Sequence, residues 1–294
     1  MHMKDSIGRK IFNVCNVCFM ILLVIVTAYP VYYVIIGSFS DSNELMRNTG
    51  ILWRPLGLNV AAYKAVFQNP NIIRGYRNTL IILALTVSVN MIVTSLTAYA
   101  LSRKGLMFGK AITMMMMFTM FFSGGLIPSY LLIDRLGIMN TYWALVLPAA
   151  MSTYNFIIMR TGFAAVPQSL EESARIDGAS HFMILVRIFI PLAKSTVAVI
   201  LLYYAVSCWN SWFAAMIYLQ QARNLQPLQL VLRGILIAND TASMSGGGTS
   251  ADQEAVSESI KYAVIVVSTL PIMVIYPFLQ KYFVQGVMIG AVKG

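Results

Sequence analysis

Six stretches of this chain carry no Asp, Glu, Lys or Arg over about the twenty residues that a membrane-crossing helix needs. They are Ile11–Ser40, Asn78–Ser102, Ala111–Ile133, Leu136–Met159, Ser195–Ala222 and Tyr262–Gln280. No other feature narrows the possible folds so far. The backbone N–H and C=O groups of a lipid-embedded segment must be bonded within the protein, and a helix does this segment by segment. The composition agrees: the 294 residues are 58% hydrophobic and 11% charged, against about a quarter charged in soluble domains. The pattern predicts an all-α membrane protein made of one domain, 1–294. Its six transmembrane helices are expected at about 11–39, 78–102, 111–133, 138–160, 195–219 and 260–281. External loops are expected at 40–77 and 220–259, and a loop on the opposite side at 161–194.

The first run exceeds the roughly 7–15-residue core of a signal peptide and continues through Tyr29, Pro30 and Tyr32. A retained span is expected. Basic residues near span ends favour the cytoplasmic side. The short connection "SRKGLMFGK", Ser102–Lys110, has three bases and no acid. Both termini are therefore expected inside (N-in/C-in). The net charge of +10 then reflects topology and attraction to anionic lipid, with no nucleic-acid partner implied. Cys15 and Cys18 have CxxC spacing, but they lie in an apolar run with no further Cys or His close by, which reads as packing.

One segment breaks the apolar pattern. "EESARIDGASHFMILVRIFIPLAKS", Glu171–Ser195, carries five charged residues between Glu171 and Arg187. Ser169 and Glu172 have capping-box spacing, so a helix is expected over Leu170–Ile176. Asp177-Gly178 signals a turn. A second helix, Ala179–Ile190, places Phe182, Leu185 and Phe189 on one face, with Asp177 near its start as an N-cap candidate. Pro191 marks entry to the next span. Physical chemistry alone also allows a solvated amphipathic connector here.

The same residues resemble the EAA loop of the permease subunits of binding-protein-dependent ABC importers. Glu172-Ser173-Ala174, Asp177-Gly178-Ala179 and Pro191, twelve residues after Ala179, fall in that family's register. Ser173 replaces an Ala, and Ser195 stands where many members have a second Pro. The C-terminal "LQKYFVQGVMIGAVKG" is similar to the tail of maltose-type oligosaccharide permeases. "FFSGGLIPSYLLIDRLGIMNTYWALVLP" resembles a Gram-positive branch handling polysaccharide breakdown products.

The resemblance implies a type I ABC importer permease fold with cytoplasmic coupling helices, located in a bacterial cell (cytoplasmic) membrane. It implies a second homologous permease subunit, two ATPase subunits, an extracellular sugar-binding lipoprotein and an oligosaccharide substrate as partners. Glu171, Glu172, Ala174, Asp177, Gly178 and Ala179 would then form the coupling helices docked in an ATPase cleft. Gly290, Val292, Lys293 and Gly294 would lie between the ATPase subunits. Ser245, Gly246, Gly247 and Gly248, in the Gly-rich "TASMSGGGTSADQE", would reach the binding protein's cleft. By composition alone that stretch is a flexible linker.

The chain itself lacks a Walker A loop: its single Gly-Lys, Gly109-Lys110, is preceded at the required position by Lys104 rather than Gly. No cofactor is expected here, and ATP and Mg²⁺ belong to the partners. Sugar sites combine aromatic walls with a few amides and hydroxyls. The candidates for the substrate path are Asn90, Tyr154, Asn155, Tyr203, Tyr204, Trp209, Asn210 and Trp212, with interfacial belts and helix packing as the plainer reading. Two alternatives remain. One is a permease of the same class for a non-sugar solute. The other is a secondary transporter, against which stands the lack of ionisable residues inside the runs. A scaffold or receptor would have no need of the coupling segment.

Overall fold

The computed structural model describes residues 7–48, 50–103, 105–237 and 259–274. These residues are helical throughout, apart from turns and one isolated antiparallel bridge between Ser40 and Leu58. They fall into two compact units. One comprises the described residues within Met1–Pro70 and Gly234–Thr269, the other those within Asn71–Arg233 and Leu270–Gly294.

The first unit opens with α1, Ile7–Ser38. Every residue from Ile7 to Ala28 is exposed, and an apolar helix bare on all sides suits lipid rather than water. Its last turn packs. Gly37 faces the ring of Tyr262 so closely that a Cβ would lie 3.1 Å from it, and Tyr33 meets the same ring edge-on at 5.8 Å. Two short helices follow, α2 (Ser42–Arg47) and α3 (Ala61–Gln68). Asp41 caps α2 by accepting from the backbone N–H groups of Asn43 and Glu44.

The second unit is organised around α4, Pro70–Ser102. Pro70 occupies a first-turn position, where a missing N–H costs nothing. The buried face of α4 is unusually polar: Asn78, Thr79, Thr86, Asn90, Thr94 and Ser95 are all buried, while Leu80, Ile92 and Leu96 are exposed. A helix in lipid turns its hydroxyls and amides toward protein or water.

Three of the remaining apolar runs are not single straight helices. The expected span 111–133 is two, α5 (Gly109–Phe121) and α6 (Leu126–Arg135), bent by 112°. The break falls at Gly124-Gly125, and Gly125 has φ +88°, a conformation open to glycine. The expected span 138–160 is α7 (Trp143–Val146) and α8 (Thr153–Ala164), with Pro148 between them and Ser152 capping α8 through the N–H of Asn155. The expected span 195–219 is α11 (Lys194–Asn210) and α12 (Phe213–Tyr218). Between α8 and α11 come α9 (Gln168–Ile176) and α10 (His181–Leu192), and α10 contains a π-helical turn at Leu185–Phe189. The α10–α11 junction bends by 91° at Ala193.

By length and apolar composition two described helices, α1 and α4, can cross a membrane, or up to four crossings if each bent pair counts as one. The expected outer loops hold structure of their own, including the first two turns of α4. They also hold α13, Leu228–Ile237. Its Leu228, Leu232 and Ile235 are buried, so this face of the helix packs inward. Asn78 secures the approach by donating to the carbonyls of Asn224 and Gln226, and Gly75 leaves room for the Leu228 backbone, 3.0 Å from where a Cβ would stand. The last described helix is α14, Ser259–Val274.

Candidate functional site

Two places in the second unit bring functional residues together. The first is the coupling segment. α9 and α10 are joined by a turn at Asp177–Ser180, and Gly178 has φ +81°, as the Asp-Gly signal requires. The Gly178 N–H donates to the Arg175 carbonyl and that of Ala179 to the Ala174 carbonyl, closing the end of α9. The caps differ from expectation. α9 begins at Gln168 behind Pro167, and no side chain caps it. Ser169 lies inside the first turn, and Glu172 instead accepts from the Gln168 amide at 2.8 Å. Asp177 sits at the end of α9 and does not cap α10; Ser180 does, through the N–H of Met183.

Adjacent carboxylates take opposite roles. Glu171 is 5% exposed. Its Oε2 accepts from Arg103 Nη1 at 2.8 Å and its Oε1 from Arg175 Nη2 at 2.7 Å. Arg103 also donates to the Phe163 carbonyl and the Ser102 hydroxyl, and its guanidinium lies 4.2 Å from the centre of the Phe189 ring. A buried carboxylate needs such full pairing to remain charged. The result is a strap from the C-terminal end of α4, through Arg103, to α9.

Beneath it an apolar core joins α4, α8, α10 and α11 through Tyr99, Phe156, Phe163, Leu185, Phe189 and Ile200, with Ala174 and Ala179 packed against it. Phe163 and Tyr99 both meet Phe189 edge-on. Glu172, Asp177 and Gly178 face outward. So do Ile176, 87% exposed, and Phe182, 67% exposed, although Phe182 was expected to share a face with buried Leu185 and Phe189. Ile176 was missed altogether; the signal was a bulky apolar residue at the helix end beside Asp-Gly.

The second place is a cavity of about 630 Å³ between α4, α8, α11 and α12, within the usual range for small-molecule sites of about 300–1,000 Å³. It gathers Asn90, Tyr154, Asn155, Tyr203 and Tyr204 from the expected path residues. It adds Thr86, Ser152 and Ser207, which hydropathy passed over as span residues. Tyr204 holds the wall together: its hydroxyl pairs with Thr94 Oγ1 at 2.7 Å and accepts from the Ser152 N–H at 3.0 Å. Three expected path residues lie elsewhere. Trp209 is buried beside Tyr76, Asn210 donates back to the Val206 carbonyl of its own helix, and Trp212 is covered by the Arg233 guanidinium at 4.4 Å. The candidates Ser245–Gly248 and Gly290–Gly294 lie outside the described residues.

Residues 88–289 match the family described as "Binding-protein-dependent transport system inner membrane component". The chain belongs to this family. A permease of this kind is an inner-membrane component that works with other transporter components and a binding protein, and ATP hydrolysis lies in other subunits. Protein LplC of Bacillus subtilis (strain 168) is 38% identical over 292 residues, covering 99% of this chain and 98% of that protein. The polygalacturonan/rhamnogalacturonan transport system permease protein YtcP of the same organism is 36% identical over 291 residues, covering 97% and 99%. The permease fold is shared with a chain from the crystal structure of a bacterial ABC transporter involved in the import of the acidic polysaccharide alginate. The TM-score is 0.87 at 29% identity, covering 96% of this chain and 100% of that one.

Proposed function

We propose that this chain is the permease subunit of an ATP-driven oligosaccharide importer of type I architecture. In this reading it forms the translocation path with a second, homologous permease. An extracellular sugar-binding lipoprotein delivers the substrate, and two ATPase subunits bind the ATP and Mg²⁺ and engage the α9–α10 pair. The whole chain acts as one permease domain with six crossings and both termini inside. Within it each bent helix pair reads as one broken span.

The observation that supports this most is the Arg103–Glu171 strap. It leaves the outer face of α9–α10, with Glu172, Ile176 and Phe182, exposed for a partner while fixing the inner face to α4. A displacement of that partner would move α4 directly. Ile176 and Phe182 suit an apolar pocket on the ATPase, and Glu172 suits a basic side chain there. The sugar assignment rests on the substrates for which the relatives are named and on a cavity lined by tyrosines, amides and hydroxyls.

The test is reconstitution. Purified with its second permease and ATPase subunits and placed in lipid vesicles, the complex is expected to hydrolyse ATP faster when loaded binding protein is added, and to accumulate oligosaccharide. An ATPase rate indifferent to the binding protein, with no accumulation, would overturn the proposal.

A further inference from the structure

The cavity wall carries an unsatisfied group. Asn90 is 2% exposed, lies midway along α4, and its Oδ1 is buried without a hydrogen-bond partner. Buried amide oxygens are ordinarily paired. Tyr204 is committed to Thr94 and Ser152. One helical turn away Thr86 lines the same cavity. Across it Tyr154 and Tyr203 stand with ring centres 6.3 Å apart, and Tyr154 is more than half exposed. Among the described lining residues there is no Lys, Arg, His, Asp or Glu.

We infer that the cavity is a saccharide subsite borne by this chain itself, with Asn90 Oδ1 as its central acceptor, and that the unit it takes is neutral rather than a uronate. The inference rests on the oligosaccharide reading above and narrows it. An acceptor without a donor calls for a ligand that donates. A sugar hydroxyl both donates and accepts, whereas an ionised carboxylate only accepts. A uronate carboxylate set against Asn90 Oδ1 would bring two acceptors together at a wall where this chain offers no base to pair it. The tyrosines supply the apolar faces against which a pyranose ring can lie, and Ser152 and Ser207 offer further hydroxyls. Polymers of acidic sugars are named for two similar proteins, so the wall of this cavity marks a difference in cargo.

The test uses the full complex, this chain with its second permease and ATPase subunits, in lipid nanodiscs without binding protein. Six probes are titrated by calorimetry: gluco-, galacto- and manno-configured uronate trisaccharides, and the carboxyl-reduced neutral counterpart of each. The expected result is at least tenfold tighter binding of a neutral member over its uronate in at least one pair. In the Asn90→Leu complex that neutral affinity is expected to fall at least tenfold, with ATPase co-purification retained. Equal or tighter binding of the uronates would overturn the subsite's selectivity, and neutral binding unchanged by Asn90→Leu would overturn the role of Asn90. Either leaves the oligosaccharide reading standing. Binding of none of the six would overturn both. The wild-type comparison decides selectivity even if Asn90→Leu fails to assemble.

Discussion

The coupling segment and the cavity share the same helices, α4, α8 and α11, and solve burial in opposite ways. Around Arg103 every buried charge is answered: Glu171 has two guanidinium partners, and Arg103 adds a carbonyl and a hydroxyl. In the cavity no charge is buried and one amide oxygen is left open. A saturated network has a single arrangement and transmits displacement. In the proposed function an open acceptor on an uncharged wall is filled and vacated as cargo passes, and the contrast separates the part that must not yield from the part that must let go.

The sharpest way to break this comparison is at the turn. Gly178 has φ +81° and donates its N–H to the Arg175 carbonyl; proline fixes φ near −65° and has no N–H. Gly178→Pro is expected to disturb the α9–α10 junction by about 3 kcal/mol or more and reduce vesicle uptake to background, with the chain still inserted. Retained uptake would show that the turn is not needed.

Next in size is the strap. Truncating one partner of a buried ion pair costs about 3–5 kcal/mol, because the other charge is left unanswered. Arg103→Met and Glu171→Gln are each expected to uncouple ATP hydrolysis from uptake. A double-mutant cycle on uptake and thermal stability should show a coupling of about 0.5–3 kcal/mol. Additive losses would mean that the two residues act separately.

A smaller effect tests the frame common to both regions. A Cβ on Gly162 would stand 2.7 Å from Thr196 Oγ1 and 2.8 Å from its Cγ2, and a β-branched side chain has little freedom to retreat. Gly162→Ala is expected to push α8 from α11 and lower the melting temperature by a few degrees, for roughly 1–3 kcal/mol of overpacking. Gly162→Ala combined with Thr196→Ala should recover most of it. An unchanged melting temperature in the single variant would refute the close packing.

Much of this was legible before any coordinates, and the part that was not has physical causes. Charge-free runs disclosed α1 and α4 because a long helix needs only sustained apolar composition. They could not disclose the bends at Gly124-Gly125 and Ala193, since hydropathy is blind to backbone direction. The Asp-Gly turn was readable because φ > 0 demands glycine there. Which of Glu171 and Glu172 faces inward was not, because the deciding partner, Arg103, lies 68 residues away in sequence. Ser169 and Asp177 were the caps expected by residue type; the actual helix starts leave both unused and put Ser180 at the cap of α10. Of the expected path residues, Asn90, Tyr154, Asn155, Tyr203 and Tyr204 share the cavity, as polar and aromatic residues in apolar runs can be picked out by type alone. Trp209 packs beside Tyr76, Asn210 bonds back to its own helix and Trp212 lies under Arg233, and residue type alone does not tell such local partners from a shared cavity.

In the proposed function ATPase motion enters this permease at the outward face of α9, and Glu172 is the most direct probe of that step. It is exposed and accepts from the neighbouring Gln168 amide, so reversing its charge should leave the fold intact. In reconstituted vesicles supplied with ATP and loaded binding protein, Glu172→Lys is predicted to lose at least about tenfold of its uptake, equivalent to about 1.4 kcal/mol, while inserting at wild-type levels. Uptake by Glu172→Lys at the wild-type rate would contradict it.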